Sequence, residues 1–363
     1  MSEVVLFGPL AHPSLREALG LAGREMTLEG RLVGGQRAGI DRHGWPVWQQ
    51  GPGQVAALAV TMTPRLARYA AVMGLTPVPH QGMRMMGAMA QGPGGVAWSA
   101  DRWPADLVAG IARAVLAAPE DRSPAEIARR LPMIGTWIDS TLRAAADPLT
   151  GGDLAGFDPD EPGPLWRAEN RAEPYADFFA VEEMHLSHRL HGGGWSPVVK
   201  RAGFVMGDAV VVLPWDAKRD RVLLIDQFRV GPAMRGDRQP WMLEAIAGRI
   251  DVGETPEIAA RREALEEAQL PLGRMFPALH HYPSPGAIGE YLYCYVAKAD
   301  LPDDAGGIHG LDSEAEDIRS HLVSTGELAR LVMEGQISNG PLALLALWFQ
   351  ARLPDLKRAI AEA

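Results

Sequence analysis

Three glutamates with helical spacing are the residues of this chain most suited to chemistry. In the segment 248–270, Glu263, Glu266 and Glu267 stand at positions i, i+3 and i+4, and Glu254 precedes them. In a helix the three side chains share one face, where like charges repel unless something neutralises them. Carboxylate oxygens suit hard cations such as Mg²⁺ or Mn²⁺, which also bind substrate phosphates. The spacing therefore predicts a divalent-cation site for a phosphate-containing substrate, and the alternative is a solvated, salt-bridged helix face.

The flanking residues predict where this helix begins and ends. Thr255 is a suitable N-cap for a helix over 256–268, whose first residue is a proline. Pro271 cannot continue a helix, so we expect the helix to end before it. Arg262 lies four residues before Glu266 and is placed to orient that carboxylate by an ion pair.

The spacing resembles the Nudix box, which reads Gly, five residues, Glu, seven residues, Arg-Glu, an apolar residue, any residue, Glu-Glu, any residue, Gly and an apolar residue. Every defining position matches except the final glycine, where this chain has Gln269. Further similarity over about residues 170–350 resembles the ADP-ribose pyrophosphatase branch of the Nudix hydrolases. It is carried by Tyr175–Phe179, Arg221–Leu224, Gln227–Arg229, Trp241–Glu244, Ser284–Glu290 and Gly310–Arg319.

The resemblance implies a role for each matching position. Metal ligation is implied for the carbonyl of Ala247 and for Glu263, Glu267 and Glu316. Catalytic roles are implied for Glu314 as the general base, for Glu266 as a supporting carboxylate and second candidate for the base, and for Arg262. Substrate binding is implied for Arg201, Arg229, Glu244, Phe178, Ser284, Gly286 and Glu290.

The reaction implied by the resemblance is the Mg²⁺-dependent hydrolysis of ADP-ribose to AMP and ribose 5-phosphate, performed by a homodimer. One alternative is a Nudix hydrolase of another nucleoside diphosphate sugar or of a diphosphate cofactor. Another is a Nudix module that senses a nucleotide without cleaving it. The complete set of box glutamates disfavours the sensor, because Nudix domains that only bind ligands tend to lose them.

Length and composition limit the number of domains and the kinds of partner that we expect. A chain of 363 residues exceeds the usual size of a single core, so we expect two domains. The net charge of −10 argues against a nucleic acid or an anionic membrane as partner.

Cys294 is the single cysteine and lies in an apolar run typical of a buried thiol. With no signal peptide and no long apolar segment, we expect a cytoplasmic protein.

The pattern of strands and helices predicts an α+β protein with three zones. Residues 1–103 favour strands, turns and one helix at 64–72. Residues 104–170 are interpreted as a helical connector followed by a linker rich in Asp, Gly and Pro. Residues 171–363 are expected to form the Nudix α/β/α sandwich, with a hairpin at 209–225 and a late helix over 341–352.

The first zone resembles a γ-glutamylcyclotransferase-like domain in its opening strand and glycine loop, Val4–Leu10. The best local match to that family's catalytic acid falls on Ala70, so we expect this smaller mixed β/α domain to be catalytically inactive. Bacterial tellurite-resistance-type Nudix proteins have a similar two-part layout, although nothing in the sequence indicates tellurium chemistry.

Overall fold

The computed structural model describes residues 3–80, 82–87, 95–147, 163–309 and 317–362. The chain divides into two compact units, residues 1–150 and 151–363. Within the described ranges, no helix is both long enough and apolar enough to cross a membrane. Each unit has its own sheet structure and its own hydrophobic core.

A five-stranded sheet forms the centre of the first unit, with strand order β2-β3-β1-β5-β4. Its strands are β1 (Glu3–Phe7), β2 (Arg24–Val33), β3 (Val47–Thr61), β4 (Val78–His80) and β5 (Met83–Met86). Strand β1 pairs antiparallel with β3 and parallel with β5. Both sets of alternating side chains on β1 are buried, as expected of a central strand covered on both faces.

Five α-helices of the described chain belong to this first unit. They are α1 (Pro13–Leu19), α2 (Pro64–Val72), α3 (Ala105–Ala117), α4 (Pro124–Arg129) and α5 (Leu131–Ala146). Helix α3 packs against α1, α2 and α5, and its buried side chains recur with helical spacing. The helical segment interpreted from sequence as a connector is therefore built into the first unit, because its apolar face needs a partner.

The second unit contains an eight-stranded and a four-stranded sheet. Its strands are β6 (Trp166–Ala176), β7 (Ala180–His188), β8 (Val199–Val205), β9 (Ala209–Asp216), β10 (Arg221–Phe228), β11 (Trp241–Glu244), β12 (Ile246–Arg249), β13 (Met275–Pro277), β14 (Ile288–Gly289), β15 (Leu292–Lys298), β16 (Ile308–His309) and β17 (Ile318–Ser324). Its helices are α6 (Val230–Arg235), α7 (Pro256–Ala268), α8 (Thr325–Met333) and α9 (Gly340–Ala361).

The eight-stranded sheet is ordered β13-β15-β9-β10-β17-β16, with β11 paired to β10 and β12 paired to β9. Strands β9 and β15 run parallel, whereas β9 and β10 form the predicted antiparallel hairpin. Helices cover both faces of this sheet. Val210 and Val212 of β9 belong to the hydrophobic cluster that contains the alanines of α7. Val211 and Leu213 belong to the opposite cluster with α8 and α9.

The alternation on β9 gives the second unit its three layers, because successive side chains of a strand point to opposite faces of the sheet. Helix α7 covers one face, and α8 with α9 covers the other. Mixed α/β structure with a sandwich in the C-terminal region is thus confirmed. The four-stranded sheet, ordered β14-β8-β7-β6, was not predicted, and β6 already begins at Trp166 within the segment interpreted as a linker.

The last helix is longer than predicted. Helix α9 continues to Ala361 although Pro354 lies inside it. A proline removes one helical hydrogen bond and disturbs the preceding turn. Burial of Leu356 beyond the proline, within the cluster that includes Phe349, offsets that loss.

Candidate active site

Helix α7 packs its alanines into the core of the sheet, and two of its glutamates, Glu263 and Glu267, lie against strand β12. Ala260 and Ala264 are fully buried in the core beneath it. The helix begins as predicted, with the Thr255 hydroxyl accepting a hydrogen bond from Ile258 N–H at 3.3 Å. It ends at Gln269, whose φ of 49° lies in the left-handed region. Glutamine therefore adopts the conformation for which the box has glycine.

Arg262 holds three glutamates of the box around a single guanidinium. Its Nη1 donates to Glu263 at 2.6 Å and to Glu266 at 2.9 Å, and its Nη2 donates to Glu254 at 2.9 Å. Nη2 also donates to the carbonyl oxygen of Arg249 at 2.8 Å, which ties the helix to β12. Three carboxylates against one guanidinium leave the cluster with a surplus of negative charge.

Contacts within this cluster shift the pKa values of Glu254 and Arg262. Burial acts to raise the pKa of Glu254, but hydrogen bonds from Arg262 and from Asp251 N–H lower it overall. Burial likewise acts to lower the pKa of Arg262, and the three glutamates reverse this and raise it. Glu254 and Arg262 are therefore both charged at neutral pH.

Glu267 is the most deeply buried of the box glutamates, with 3% of its surface exposed. Its Oε2 accepts a hydrogen bond from Ala247 N–H at 3.2 Å. Ala247 lies on β12 opposite Val211 of β9, so the ladder of the main sheet fixes its position. A Cβ atom at Gly248 would overlap the carboxylate of Glu263. A side chain at the first glycine of the box would therefore displace the Glu263 carboxylate from its place beside β12.

The donor chemistry of this region fits a hard divalent cation, since the carboxylates and the Ala247 carbonyl offer oxygen ligands only. The surplus negative charge around Arg262 favours the same kind of ion. In the described part of the chain, no group of three or more acidic, histidine or cysteine side chains is arranged to hold a metal ion. Glu314 and Glu316, the two loop glutamates assigned by resemblance, lie outside the described residues.

A second arginine–glutamate contact lies at the end of β10. Arg229 donates through Nε to Glu244 Oε1 at 3.0 Å and through Nη2 to Oε2 at 2.7 Å. Glu244 is 4% exposed and stands opposite Ile225 in the β10–β11 ladder. This paired geometry holds the guanidinium plane in one orientation, as suits the binding of an anion such as a diphosphate.

A third group combines an aromatic ring with charged side chains. Phe178, in the turn between β6 and β7, is 68% exposed. The guanidinium carbon of Arg249 lies 4.7 Å from the centroid of its ring. Burial raises the pKa of Glu290, and Arg249 and Arg229 partly counteract this, while Asp208 adds to it. Glu290 is therefore electrostatically linked to both arginines.

The remaining predicted positions lie in more exposed parts of the second unit. Arg201 is exposed on β8, where it stands opposite Met184 and donates to the Lys200 carbonyl at 2.9 Å. The Ser284 carbonyl accepts hydrogen bonds from Ala287 N–H at 3.1 Å and from the next amide, which shapes the loop that also contains Gly286. Sequence reasoning missed Arg249, because the box leaves its position unspecified and its aromatic partner is remote in sequence.

Comparison with known proteins identifies several relatives of this chain. A family model described as the NUDIX domain matches residues 206–341. An ADP-ribose pyrophosphatase of Escherichia coli K12 is 42% identical over 183 residues, covering 50% of this chain and 87% of that protein. An ADP-ribose pyrophosphatase of Haemophilus influenzae is 36% identical over 187 residues, covering 51% and 86%. A GDP-mannose pyrophosphatase of Escherichia coli SMS-3-5 is 30% identical over 151 residues, covering 42% and 78%.

Proposed function

The chain belongs to the Nudix family of pyrophosphohydrolases, and we propose that it hydrolyses the diphosphate of ADP-ribose to AMP and ribose 5-phosphate. The observation that carries the proposal is the cluster of three box glutamates around Arg262, combined with the oriented Arg229–Glu244 pair. The glutamate cluster suits a cation, and the Arg229–Glu244 pair suits the anionic group that the cation would neutralise. Two relatives that align over most of their own length bear the name ADP-ribose pyrophosphatase.

The residues proposed to hold the cation are the carbonyl of Ala247 and the carboxylates of Glu263, Glu267 and Glu316. Bound there, Mg²⁺ or Mn²⁺ would neutralise charge on the diphosphate and lower the pKa of a nearby water. The protein's own contribution is to hold these oxygens apart and aligned. Arg262 does so for Glu263 through a 2.6 Å ion pair, and the Ala247 amide does so for Glu267.

Substrate orientation is proposed for two sets of residues. Arg229, held by Glu244, would clamp the diphosphate, and Arg201 would contact a phosphate or a ribose. The nucleoside end is proposed to lie against Phe178 and Glu290, with the loop of Ser284 and Gly286 closing that side. Exclusion of water by these groups would strengthen every charge interaction in the site.

The proposed general base is Glu314, which would accept the proton of the attacking water. The assignment rests on resemblance, and Glu266 is the alternative. Replacing Glu314 by Gln should lower kcat by roughly 10²–10⁴-fold with little change in KM, because the proton is transferred only in the transition state. An unchanged kcat would move the role to Glu266.

Substrate identity is tested by a panel with product identification. Purified full-length protein and Mg²⁺ are incubated with ADP-ribose, GDP-mannose and other nucleoside diphosphate sugars, and products are resolved by chromatography. The proposal expects AMP and ribose 5-phosphate, with the highest kcat/KM for ADP-ribose. Preference for GDP-mannose would favour the second candidate, which the 30% identical relative supports. Binding without turnover of any substrate would favour the sensor.

A homodimer is proposed from the exposed aromatic side chains of the four-stranded sheet. Trp166, Tyr175 and Phe204 are all exposed there, and β6 is exposed along most of its length. Tyr175 and Phe204 both contact the ring of Phe179 and so form one exposed apolar group, as is typical of protein interfaces, while Trp166 lies at the other end of β6. Light scattering coupled to size-exclusion chromatography should give twice the chain mass, and Trp166→Glu should reduce it to one chain. A monomeric wild-type protein would contradict the proposal.

The first unit is proposed to have no cyclotransferase activity. Ala70, at the position matched to the catalytic acid, is buried on α2 and has no ionisable group. Full-length protein incubated with γ-glutamyl peptides should therefore release no 5-oxoproline above background. Release of 5-oxoproline would mean that another carboxylate performs this role.

A further inference from the structure

Arg249 connects the glutamate cluster with two side chains proposed to hold the nucleoside. Its backbone carbonyl accepts a hydrogen bond from Arg262 at 2.8 Å. Its guanidinium lies over the ring of Phe178, with 4.7 Å between the guanidinium carbon and the ring centroid. Its charge also acts on the carboxyl group of Glu290. Arg249 thus contacts helix α7 through its backbone and the proposed nucleoside end of the site through its side chain.

The groups joined by Arg249 come from separate parts of the chain. Phe178 belongs to the β6–β7 turn of the four-stranded sheet. Arg249 ends β12, a strand of the eight-stranded sheet. Glu290 precedes β15. A ring as exposed as that of Phe178 packs against few neighbours, so a stacked guanidinium strongly restricts its orientation. The orientation of the Phe178 ring relative to β12 therefore depends on Arg249.

We propose that Arg249 is a positioning residue that sets the affinity for the nucleoside part of the substrate by holding the ring of Phe178 in place. The Nudix box leaves this position unspecified, so the resemblance assigns it no role. The inference rests on the proposed function, since it requires a nucleoside diphosphate to occupy the site. A residue of this kind affects substrate binding, whereas chemistry at the diphosphate proceeds as before.

The test compares steady-state kinetics of Arg249→Met with those of the wild type. Methionine keeps an unbranched apolar stem and removes both the charge and the planar face. KM for ADP-ribose should rise about three- to tenfold, with kcat within about twofold, as expected when a contact shared by ground and transition states is weakened. Arg249→Lys, which keeps the charge without the planar face, should give an intermediate KM.

Coupling to Phe178 separates positioning from a general charge effect. In a Phe178→Leu background, Arg249→Met should change KM by less than about twofold, because the shared contact is already lost. Arg189→Met is the matched control, since the Arg189 guanidinium also lies 4.7 Å from an aromatic centroid, that of Trp195. The control should keep the wild-type KM.

Three outcomes would overturn the inference. They are an unchanged KM in Arg249→Met, a lowered KM, which would mean that the guanidinium shields Phe178 from the base, and an undiminished effect in the Phe178→Leu background. Melting temperatures within about 2 °C of the wild type verify that each variant is folded, and Arg249→Lys replaces any variant that is not. If the wild type does not hydrolyse ADP-ribose, the proposed function fails, and the same variants are compared on the nucleoside diphosphate sugar that it does hydrolyse.

Discussion

The two arginine–glutamate groups of the second unit differ in their balance of charge. Arg262 is shared among Glu254, Glu263 and Glu266, so negative charge is in excess. Arg229 is paired with Glu244 through two parallel hydrogen bonds. An excess of carboxylates favours cations, whereas the paired hydrogen bonds of Arg229 and Glu244 fix the plane of one guanidinium. Under the proposed function, the first arrangement suits metal ions and the second suits the diphosphate that the metal ions would neutralise.

The sharpest test of the metal side of this comparison is Glu267→Gln. Loss of one buried carboxylate should lower kcat by on the order of 10³-fold, because charge stabilisation by the cation is weakened in the transition state. Activity should also disappear in excess EDTA. Glu257→Gln is the control, since Glu257 lies in the first turn of the same helix and contacts the Tyr295 hydroxyl. Full turnover by Glu267→Gln, or activity in EDTA, would contradict the metal assignment.

Arg262→Lys should have the next largest effect. A lysine cannot reach three carboxylates in a planar arrangement, so the ligands lose their alignment, and kcat/KM should fall roughly 10–100-fold. The Mg²⁺ concentration needed for half-maximal activity should rise in parallel. Arg330→Lys provides a control, because Arg330 bridges Glu327 and Glu334 on the surface of α8. Equal effects of the two substitutions would show that the box arginine acts only in stability.

Substitution in the Arg229–Glu244 pair should have a different and smaller effect on the kinetics. In Arg229→Lys the paired hydrogen bonds to Glu244 are lost, so KM should rise about tenfold while kcat changes little. Arg171→Lys is the matched control, since Arg171 is also a half-exposed arginine that contacts a buried glutamate, Glu182, at 3.0 Å. A drop in kcat without a change in KM would place Arg229 with the metal cluster instead.

The smallest expected effect concerns stability. Gln269 adopts a left-handed conformation that costs a non-glycine residue roughly 1 kcal/mol. Gln269→Gly should therefore raise the free energy of unfolding by about 0.5–1 kcal/mol, seen in denaturant titration, and leave kcat unchanged. Glu334→Gly is the control, because Glu334 ends α8 with a φ of −85°, which any residue adopts. Glycine there should not raise the free energy of unfolding. A destabilised Gln269→Gly variant would show that the glutamine side chain contributes more than its conformation costs.

Local signals account for what the sequence predicted well. The bounds of α7 follow from Thr255, Pro256 and a helical repeat, all of which act within a few residues. The shared face of Glu263, Glu266 and Glu267 follows from the same repeat. The four-stranded sheet escaped prediction because β6 is exposed on both faces and therefore lacks the alternation that marks a half-buried strand.

Long-range contacts account for what the sequence could not predict. The contact of Arg249 with Phe178 joins the end of a strand to a turn far away in the chain, and no periodicity connects them. The continuation of α9 beyond Pro354 depends on the burial of Leu356 in a core assembled from distant strands. Sequence analysis predicted the ion pair of Arg262 with Glu266, and the structure adds that the same guanidinium also holds Glu254 and Glu263.

The parallel pairing of β9 with β15 has a consequence for how the second unit folds. These two strands lie side by side at the centre of the eight-stranded sheet, yet α7 and the whole box separate them in sequence. Pairing them closes a long stretch of chain, and non-local pairing of this kind slows folding because chain entropy is lost before contacts form. On an emerging polypeptide, β9 would have an unpaired edge until β15 has been synthesised. Tyr293 and Tyr295 of β15 pack in the same core as the alanines of α7, so the hydrophobic support beneath the glutamate cluster is complete only after this closure.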